Sequence, residues 1–93
     1  MNIAVEIAFS FKQKMDESYR NLDLPSDATV LEGLHLLADR FPVFRERVFD
    51  DTGSIRRNIN ALINGSNVQF REGLNTVLHA GDRLTVLPPV GGG

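Results

Sequence analysis

The chain has 93 residues, of which 42% are hydrophobic and 24% charged, a composition that predicts one folded domain and argues against intrinsic disorder. The net charge of −2, spread along the chain, disfavours nucleic-acid binding, and the absence of cysteine excludes disulfides, thiolate metal sites and a cysteine nucleophile. No apolar run approaches the roughly 18 residues of a membrane span, and no basic-then-apolar leader opens the chain, so we expect a soluble cytoplasmic domain without membrane contact.

The first elements form a predicted hairpin. Apolar and polar side chains alternate from Ile3 to Phe11, which is typical of a strand with one buried face. Residues 12–17 are polar and predict a loop, and a shorter alternation over residues 21–25 predicts a second, antiparallel strand.

A helix is predicted after this hairpin. Thr29 and Glu32 have the spacing of a capping box, and Pro42 ends the pattern. Gly33 interrupts the helix at a cost of about 1 kcal/mol, so we expect it to permit close packing on a sheet. Residues 43–49 predict a shorter second helix, followed by a turn over residues 50–53. The apolar stripe of the first helix comprises Val30, Leu34, Leu37, Ala38 and Phe41.

The second half of the chain predicts three more strands. Residues 59–63 form the third strand, and the turn pair Asn64-Gly65 leads to a fourth strand around Val68 and Phe70. A crossing loop or single helical turn over residues 73–78 precedes the last strand, residues 83–87.

This order of elements predicts an α+β domain of the β-grasp (ubiquitin-like) type over residues 1–87. A mixed sheet of about five strands would wrap around one main helix, because that helix is the only long amphipathic cover for the sheet. The last strand would lie in the middle of the sheet, beside the first. Residues 88–93 would form a flexible C-terminal tail.

The tail is the most unusual feature of the sequence, and two interpretations of it are open. It could be an end without a role, since termini are often disordered. Alternatively, a thin thread that ends in a carboxylate has the shape needed to enter a narrow active site on another protein. The residues of the tail are Pro88, Pro89, Val90, Gly91, Gly92 and Gly93.

The remaining polar residues predict no metal or catalytic site. His35 and His79 lie 44 residues apart without a cysteine near either, and Asp39 is spaced to form a helix-surface pair with His35. Residues 50–53 lack the pattern of a calcium loop. There is no phosphate-binding loop and no serine in a nucleophile elbow, so we expect a protein that is not itself an enzyme.

A docking surface is predicted on the third strand. Both faces of that strand carry apolar side chains, so one set cannot face the helix. We expect Leu62 to be available to a partner, with Arg56, Arg57 and Arg71 as a polar rim. The alternative is that the loop after Phe70 covers Leu62.

Several motifs match a known family. Residues 81–93 read Gly-Asp, an apolar strand, and then Pro-Pro-Val-Gly-Gly-Gly. Ile63-Asn64-Gly65, Gly73-Leu74 and Phe41-Pro42 match as well. Over nearly its whole length the chain resembles the MoaD/ThiS family of ubiquitin-like sulfur carriers, with Gly91 where the family has alanine.

The resemblance implies that Gly93 is the reactive end. Its carboxylate would be adenylated by a ubiquitin-activating-enzyme-like adenylyltransferase that uses ATP and magnesium; the chain itself would bind no cofactor. A cysteine desulfurase or rhodanese-type donor would then supply sulfur for a C-terminal thiocarboxylate. The chain would be a carrier and co-substrate.

Several recipients of the sulfur are compatible with the resemblance. The Pro-Pro-Val ending and the length look most like the small subunit of molybdopterin synthase, whose large subunit would then be a partner. Cysteine or thiamine biosynthesis, tRNA thiolation and a ubiquitin-like protein modifier are the alternatives. A β-grasp interaction module with an inert tail is a further one.

Overall fold

Five strands form one mixed sheet in this computed structural model, which describes residues 1–8, 16–57 and 59–87. The strands are β1 (Asn2–Ile7), β2 (Asn21–Asp23), β3 (Asn60–Ile63), β4 (Ser66–Asn67) and β5 (Arg83–Leu87). Two α-helices, α1 (Val30–Arg40) and α2 (Pro42–Val48), lie between β2 and β3. Three short 3₁₀ helices span Glu17–Arg20, Val68–Phe70 and Gly73–Asn75.

The strand order, β2-β1-β5-β3-β4, places the last strand in the middle of the sheet. β5 runs parallel to β1, with Val5 opposite Leu84, and antiparallel to β3, with Leu62 opposite Thr85. The β1–β2 hairpin is antiparallel. The predicted β-grasp fold is therefore confirmed, including the central position of the last strand.

The core lies between one face of the sheet and α1. Alternate residues of the strands point to this face because side chains in a strand alternate between its two sides. α1 contributes a stripe at helical spacing, and α2 adds two further side chains. The buried side chains that make up most of the core are Ile3, Val5, Leu22, Val30, Leu34, Leu37, Phe44, Val48, Ile63, Leu84 and Val86.

Local signals set the bounds of both helices. The Thr29 hydroxyl accepts the Glu32 backbone N–H at 3.2 Å and the Glu32 carboxylate accepts the Thr29 N–H at 3.2 Å, so the predicted capping box is confirmed. Pro42 follows α1 and begins α2 as its first residue. Gly33 packs on the sheet, yet a methyl group there would come no closer than 3.6 Å to its neighbours, Leu24 and Leu78. Close packing therefore does not demand glycine at this position.

The fourth strand is shorter than predicted. β4 pairs with β3 only through Ser66 and Asn67. The Asn67 side chain then accepts the Gln69 N–H at 2.9 Å and caps a 3₁₀ turn, so Val68 and Phe70 do not form a strand. Val68 is buried, whereas Phe70 is 86% exposed. The expectation of a fourth strand around these two residues is wrong, because a side-chain cap redirects the chain.

Two other expectations meet the described ranges only in part. The first strand is described to Ile7, after which the Ala8 N–H donates to the Val86 carbonyl oxygen at 2.9 Å; residues 9–11 of that prediction lie outside the described part. The predicted loop over residues 73–78 contains one 3₁₀ turn and then a bridge between Val77 and Thr29. Within the described ranges, no helix has the length and apolar character needed to cross a membrane.

Candidate functional site

The strand that leads to the tail is held on both of its sides. β5 pairs with β1 and β3 along its length, and its last residue, Leu87, lies opposite Asn60. The predicted tail, residues 88–93, lies outside the described residues. The fold thus anchors the chain firmly up to the residue at which the tail begins.

A side-chain network fixes the beginning of β5. The Asn64 amide donates to one Asp82 carboxylate oxygen at 2.9 Å and accepts the Arg83 N–H at 3.0 Å. The other Asp82 oxygen accepts the His79 N–H at 2.8 Å. This network joins the Asn64-Gly65 turn to the turn before β5, so two motifs that are far apart in sequence meet in space.

The sheet face that points away from α1 is open, and we call it the outer face. Its central row runs across four strands through Glu6, Thr85, Leu62 and Asn67. Thr85 is only 8% exposed, and Leu62 beside it is half-buried. Leu62 does not belong to the core cluster, which leaves its side chain on the face expected for docking.

The structure does not bring the predicted arginines together with Leu62. Arg56 and Arg57 line a cleft at the edge of β3 together with Ala61, whose buried side chain points to the opposite face from Leu62. Arg71 follows the 3₁₀ turn after β4, and all three arginines are exposed. The Arg56 guanidinium donates to the Glu46 carbonyl oxygen at 3.2 Å.

A second cleft, of about 370 Å³, lies beside α1 and α2. His35 stacks on the Phe49 ring there, with ring centroids 4.9 Å apart. The predicted His35–Asp39 pair is not the one formed, because α2 brings Arg45 to within 2.8 Å of the Asp39 carboxylate. The charges lining this cleft are mixed in sign, so it has no clear preference for an anion or a cation.

The predicted turn over residues 50–53 lies at the rim of this cleft. The Asp50 carboxylate accepts hydrogen bonds from the Thr52 hydroxyl at 2.6 Å and from the Thr52 and Ser54 backbone N–H groups. The Thr52 hydroxyl bond and then the Ser54 N–H bond lower the pKa of Asp50, with a smaller contribution from the Arg56 charge. Among the described residues, no group of three His, Cys, Asp or Glu side chains is placed to hold a metal ion.

Sequence reasoning missed two features of these surfaces. The exposure of Phe70 was hidden because its apolar alternation with Val68 resembles a strand. The Asn64–Asp82 bond was also missed, although both residues belong to the motifs that carried the family resemblance.

Fold and sequence comparisons define the class of protein. The chain is a ubiquitin-like β-grasp protein: a crystal structure of small archaeal modifier protein 1 from Haloferax volcanii matches it with a TM-score of 0.78 at 30% identity, over 96% of this chain and 98% of that one. In sequence, the modifier is 39% identical over 72 residues, which is 77% of this chain and 78% of the relative.

The family follows from a match over most of the chain. The ThiS family profile matches residues 10–93, and the chain belongs to this family of ubiquitin-like sulfur carriers. The sulfur carrier protein CysO of Mycobacterium tuberculosis is 40% identical over 50 residues, 52% of this chain and 54% of the relative. A CysO bound to BexX, from Amycolatopsis orientalis, has a TM-score of 0.64 at 26% identity, over 97% of this chain and all of that one. The relatives named here are small carriers and modifiers rather than catalysts.

Proposed function

We propose that this chain is a sulfur carrier whose C-terminal Gly93 carboxylate is adenylated and then converted to a thiocarboxylate. The observation that carries the proposal is the Gly-Gly end that directly follows a strand held at the centre of the sheet. Membership of the ThiS family and the similarity to a sulfur carrier protein support it.

The chemistry begins from an unreactive group. An α-carboxylate is ionised at neutral pH and is a poor electrophile. In the proposed first step, an oxygen of the Gly93 carboxylate attacks the α-phosphorus of ATP, so that a mixed anhydride forms and pyrophosphate leaves. The partner adenylyltransferase supplies ATP and the magnesium that offsets the phosphate charge.

Sulfur then replaces the adenylate. Hydrosulfide attacks the Gly93 carbonyl carbon, the carbon–sulfur bond forms, AMP leaves and a proton passes to solvent. If a persulfide is the donor, an acyl disulfide forms first, and a second thiol must cleave it and become oxidised to a disulfide. Because this chain has no cysteine, both sulfur groups must come from the desulfurase or rhodanese-type partner.

Docking to these partners is assigned to the outer face. Leu62 and Leu87 lie on this face, and Leu87 is the residue from which the tail departs. An adenylyltransferase that covers this face would receive the tail at a fixed origin, which is the positioning that a reacting carbonyl requires. Arg71 and the edge arginines Arg56 and Arg57 would supply polar contacts at the rim.

The proposed recipient is a pterin precursor of molybdenum cofactor biosynthesis, with the large subunit of molybdopterin synthase as the second partner. The Pro-Pro-Val ending supports this assignment. The test is to mix the purified thiocarboxylated chain with that large subunit and the precursor. Dithiolene product, with loss of sulfur from Gly93, is expected; unchanged thiocarboxylate would move the recipient to cysteine or thiamine synthesis or to tRNA.

A protein modifier is the second candidate, because a relative of 39% identity is a small archaeal modifier. In that role a lysine amine would attack the activated Gly93 carbonyl and form an isopeptide bond. Trypsin has its last cleavage site in this chain at Arg83, so it would leave the branch Leu84–Gly93 on each modified lysine. Peptide mapping of cells that produce an N-terminally tagged chain would detect that branch if the chain is a modifier, and would find none if it only carries sulfur.

A further inference from the structure

The cleft at the edge of β3, which we call the edge cleft, is a second binding surface separate from the outer face. It has a volume of about 230 Å³ and opens where β3 and β4 diverge. Its floor includes Leu34 and Ala61, and Ile55, Ile59 and Leu74 contribute partly buried side chains to its walls. The cleft therefore reaches the apolar core from the sheet edge and is large enough to hold an aliphatic side chain.

The backbone beside the edge cleft has one open strand edge. β4 pairs only with Leu62 and Ile63, and the chain turns into a 3₁₀ helix at Val68. The Asn64 N–H bonds to Arg83 directly opposite, so hydrogen-bonded pairs on the β5 side alternate at residues 64, 62 and 60. The N–H and C=O of Ala61 consequently point away from β5, toward a side on which no described strand pairs with them.

The charge at the edge cleft is of one sign. Its lining includes Arg56 and Arg57 and no aspartate or glutamate. Arg56 donates to a backbone carbonyl oxygen and also lowers the pKa of Asp50 from the neighbouring cleft, so only part of its charge is offset. Arg57 is exposed beside it. An otherwise acidic chain thus presents two positive charges at an apolar slot beside an open strand edge.

We propose that the edge cleft binds an extended segment of a partner protein in which aliphatic residues are flanked by acidic ones. The segment pairs with the backbone at Ala61, as an added strand. One aliphatic side chain enters the cleft above Leu34, and the acidic residues lie against Arg56 and Arg57. Because Ala61 and Leu62 point to opposite faces of β3, a partner bound here leaves the outer face and the tail open to a second protein.

The test uses a defined peptide and backbone amide NMR. The capped peptide Gly-Asp-Ile-Val-Ile-Asp-Glu-Gly is titrated to about 1 mM, in the affinity range that corresponds to about 4 kcal/mol. Amide shifts are expected at Ile59, Ala61 and Gln69 and not at Thr85 or Leu87. A peptide with lysines in place of its acidic residues should cause no shifts.

Three exposed substitutions separate a specific site from general charge attraction. Arg57→Glu should weaken binding by about tenfold and Gln69→Arg, which adds a cation to the lining, should tighten it by about threefold. Arg40→Glu on α1 makes the same charge change away from the cleft and should alter the affinity by less than about twofold, since salt screens distant charges.

Four results would overturn the proposal. They are no shifts at the highest peptide concentration, shifts centred on the outer face, equal effects of Arg57→Glu and Arg40→Glu, and shifts that depend on protein concentration without peptide. The last result would mean that a second copy of the chain occupies the edge.

Discussion

Replacing Asn64 tests whether the side-chain network holds the beginning of β5. Asn64→Gly removes the bonds to Asp82 and to the Arg83 N–H, while glycine tolerates the left-handed backbone found here, with φ of 51°. A net hydrogen bond contributes about 0.5–1.5 kcal/mol, and water partly replaces these two exposed ones, so we expect a loss of about 1–2 kcal/mol in the free energy of unfolding. For a domain of this size, that corresponds to a fall in Tm of roughly 4–15 °C.

A matched pair of variants separates the side chain from the backbone. Asn64→Ala should destabilise by roughly a further 1 kcal/mol, because a residue with a Cβ resists the left-handed conformation. Urea unfolding of Asn64→Gly, Asp82→Ala and the double variant would measure the coupling, expected to be about 0.5–1 kcal/mol. The cycle cancels the loss of the separate Asp82 bond to His79. A coupling of zero, or a loss below about 0.3 kcal/mol in Asn64→Gly, would refute the role assigned to the network.

Four other outcomes are expected. Gly33→Ala should raise the free energy of unfolding by about 0.5–1 kcal/mol in urea titration, since its methyl group meets neighbours at 3.6 Å and alanine favours helix; destabilisation would mean that the site is tighter than it looks. The lowered pKa of Asp50 means that its contribution to stability is present above its ordinary pKa and is lost as the pH falls through the folded value. The stability difference between the wild type and Asp50→Asn should therefore shrink as the pH falls from about 6 to about 2, and a constant difference would contradict the bonds described. Leu62→Asp should slow adenylation at least about tenfold without unfolding the domain, whereas Leu36→Asp on α1, also half-buried, should not slow adenylation of the folded protein; equal rates would reject the outer face as the docking surface. Deleting Gly93 should leave Tm unchanged and abolish sulfur transfer, because the reacting carbon is moved; a deleted chain that still restores its pathway in cells would contradict the carrier role.

Local patterns in the sequence were enough to predict the main elements. The strands follow period-two alternation, and the capping box and Pro42 set the ends of the helices through interactions within a few residues. The Asn64-Gly65 turn follows from the left-handed conformations that both residues adopt, with φ of 51° and 86°. These features depend on neighbours in sequence, so they can be read without the fold.

Features that depend on distant contacts could not be predicted in the same way. Asp39 pairs with Arg45 because of the angle at which α2 follows α1, and nothing near Asp39 in sequence specifies that angle. Phe70 has the spacing of a strand residue, but the Asn67 cap turns it into solvent. Arg56 and Arg57 precede the strand that carries Leu62, yet they surround a cleft on the side of Ala61. Burial on one face or the other of β3 is decided by the whole sheet.

The chemistry proposed at Gly93 has one direct test, the intact mass of the protein after reaction. The chain is incubated with its adenylyltransferase, ATP, magnesium and a sulfide or persulfide source, and each component is omitted in turn as a control. We expect the mass gain of a single oxygen-to-sulfur exchange, which fragmentation places on the C-terminal glycines, since a chain without cysteine has no thiol to carry that sulfur. A chain that consumes ATP yet never gains sulfur at Gly93, and instead forms lysine conjugates or no product, would contradict the sulfur-carrier function.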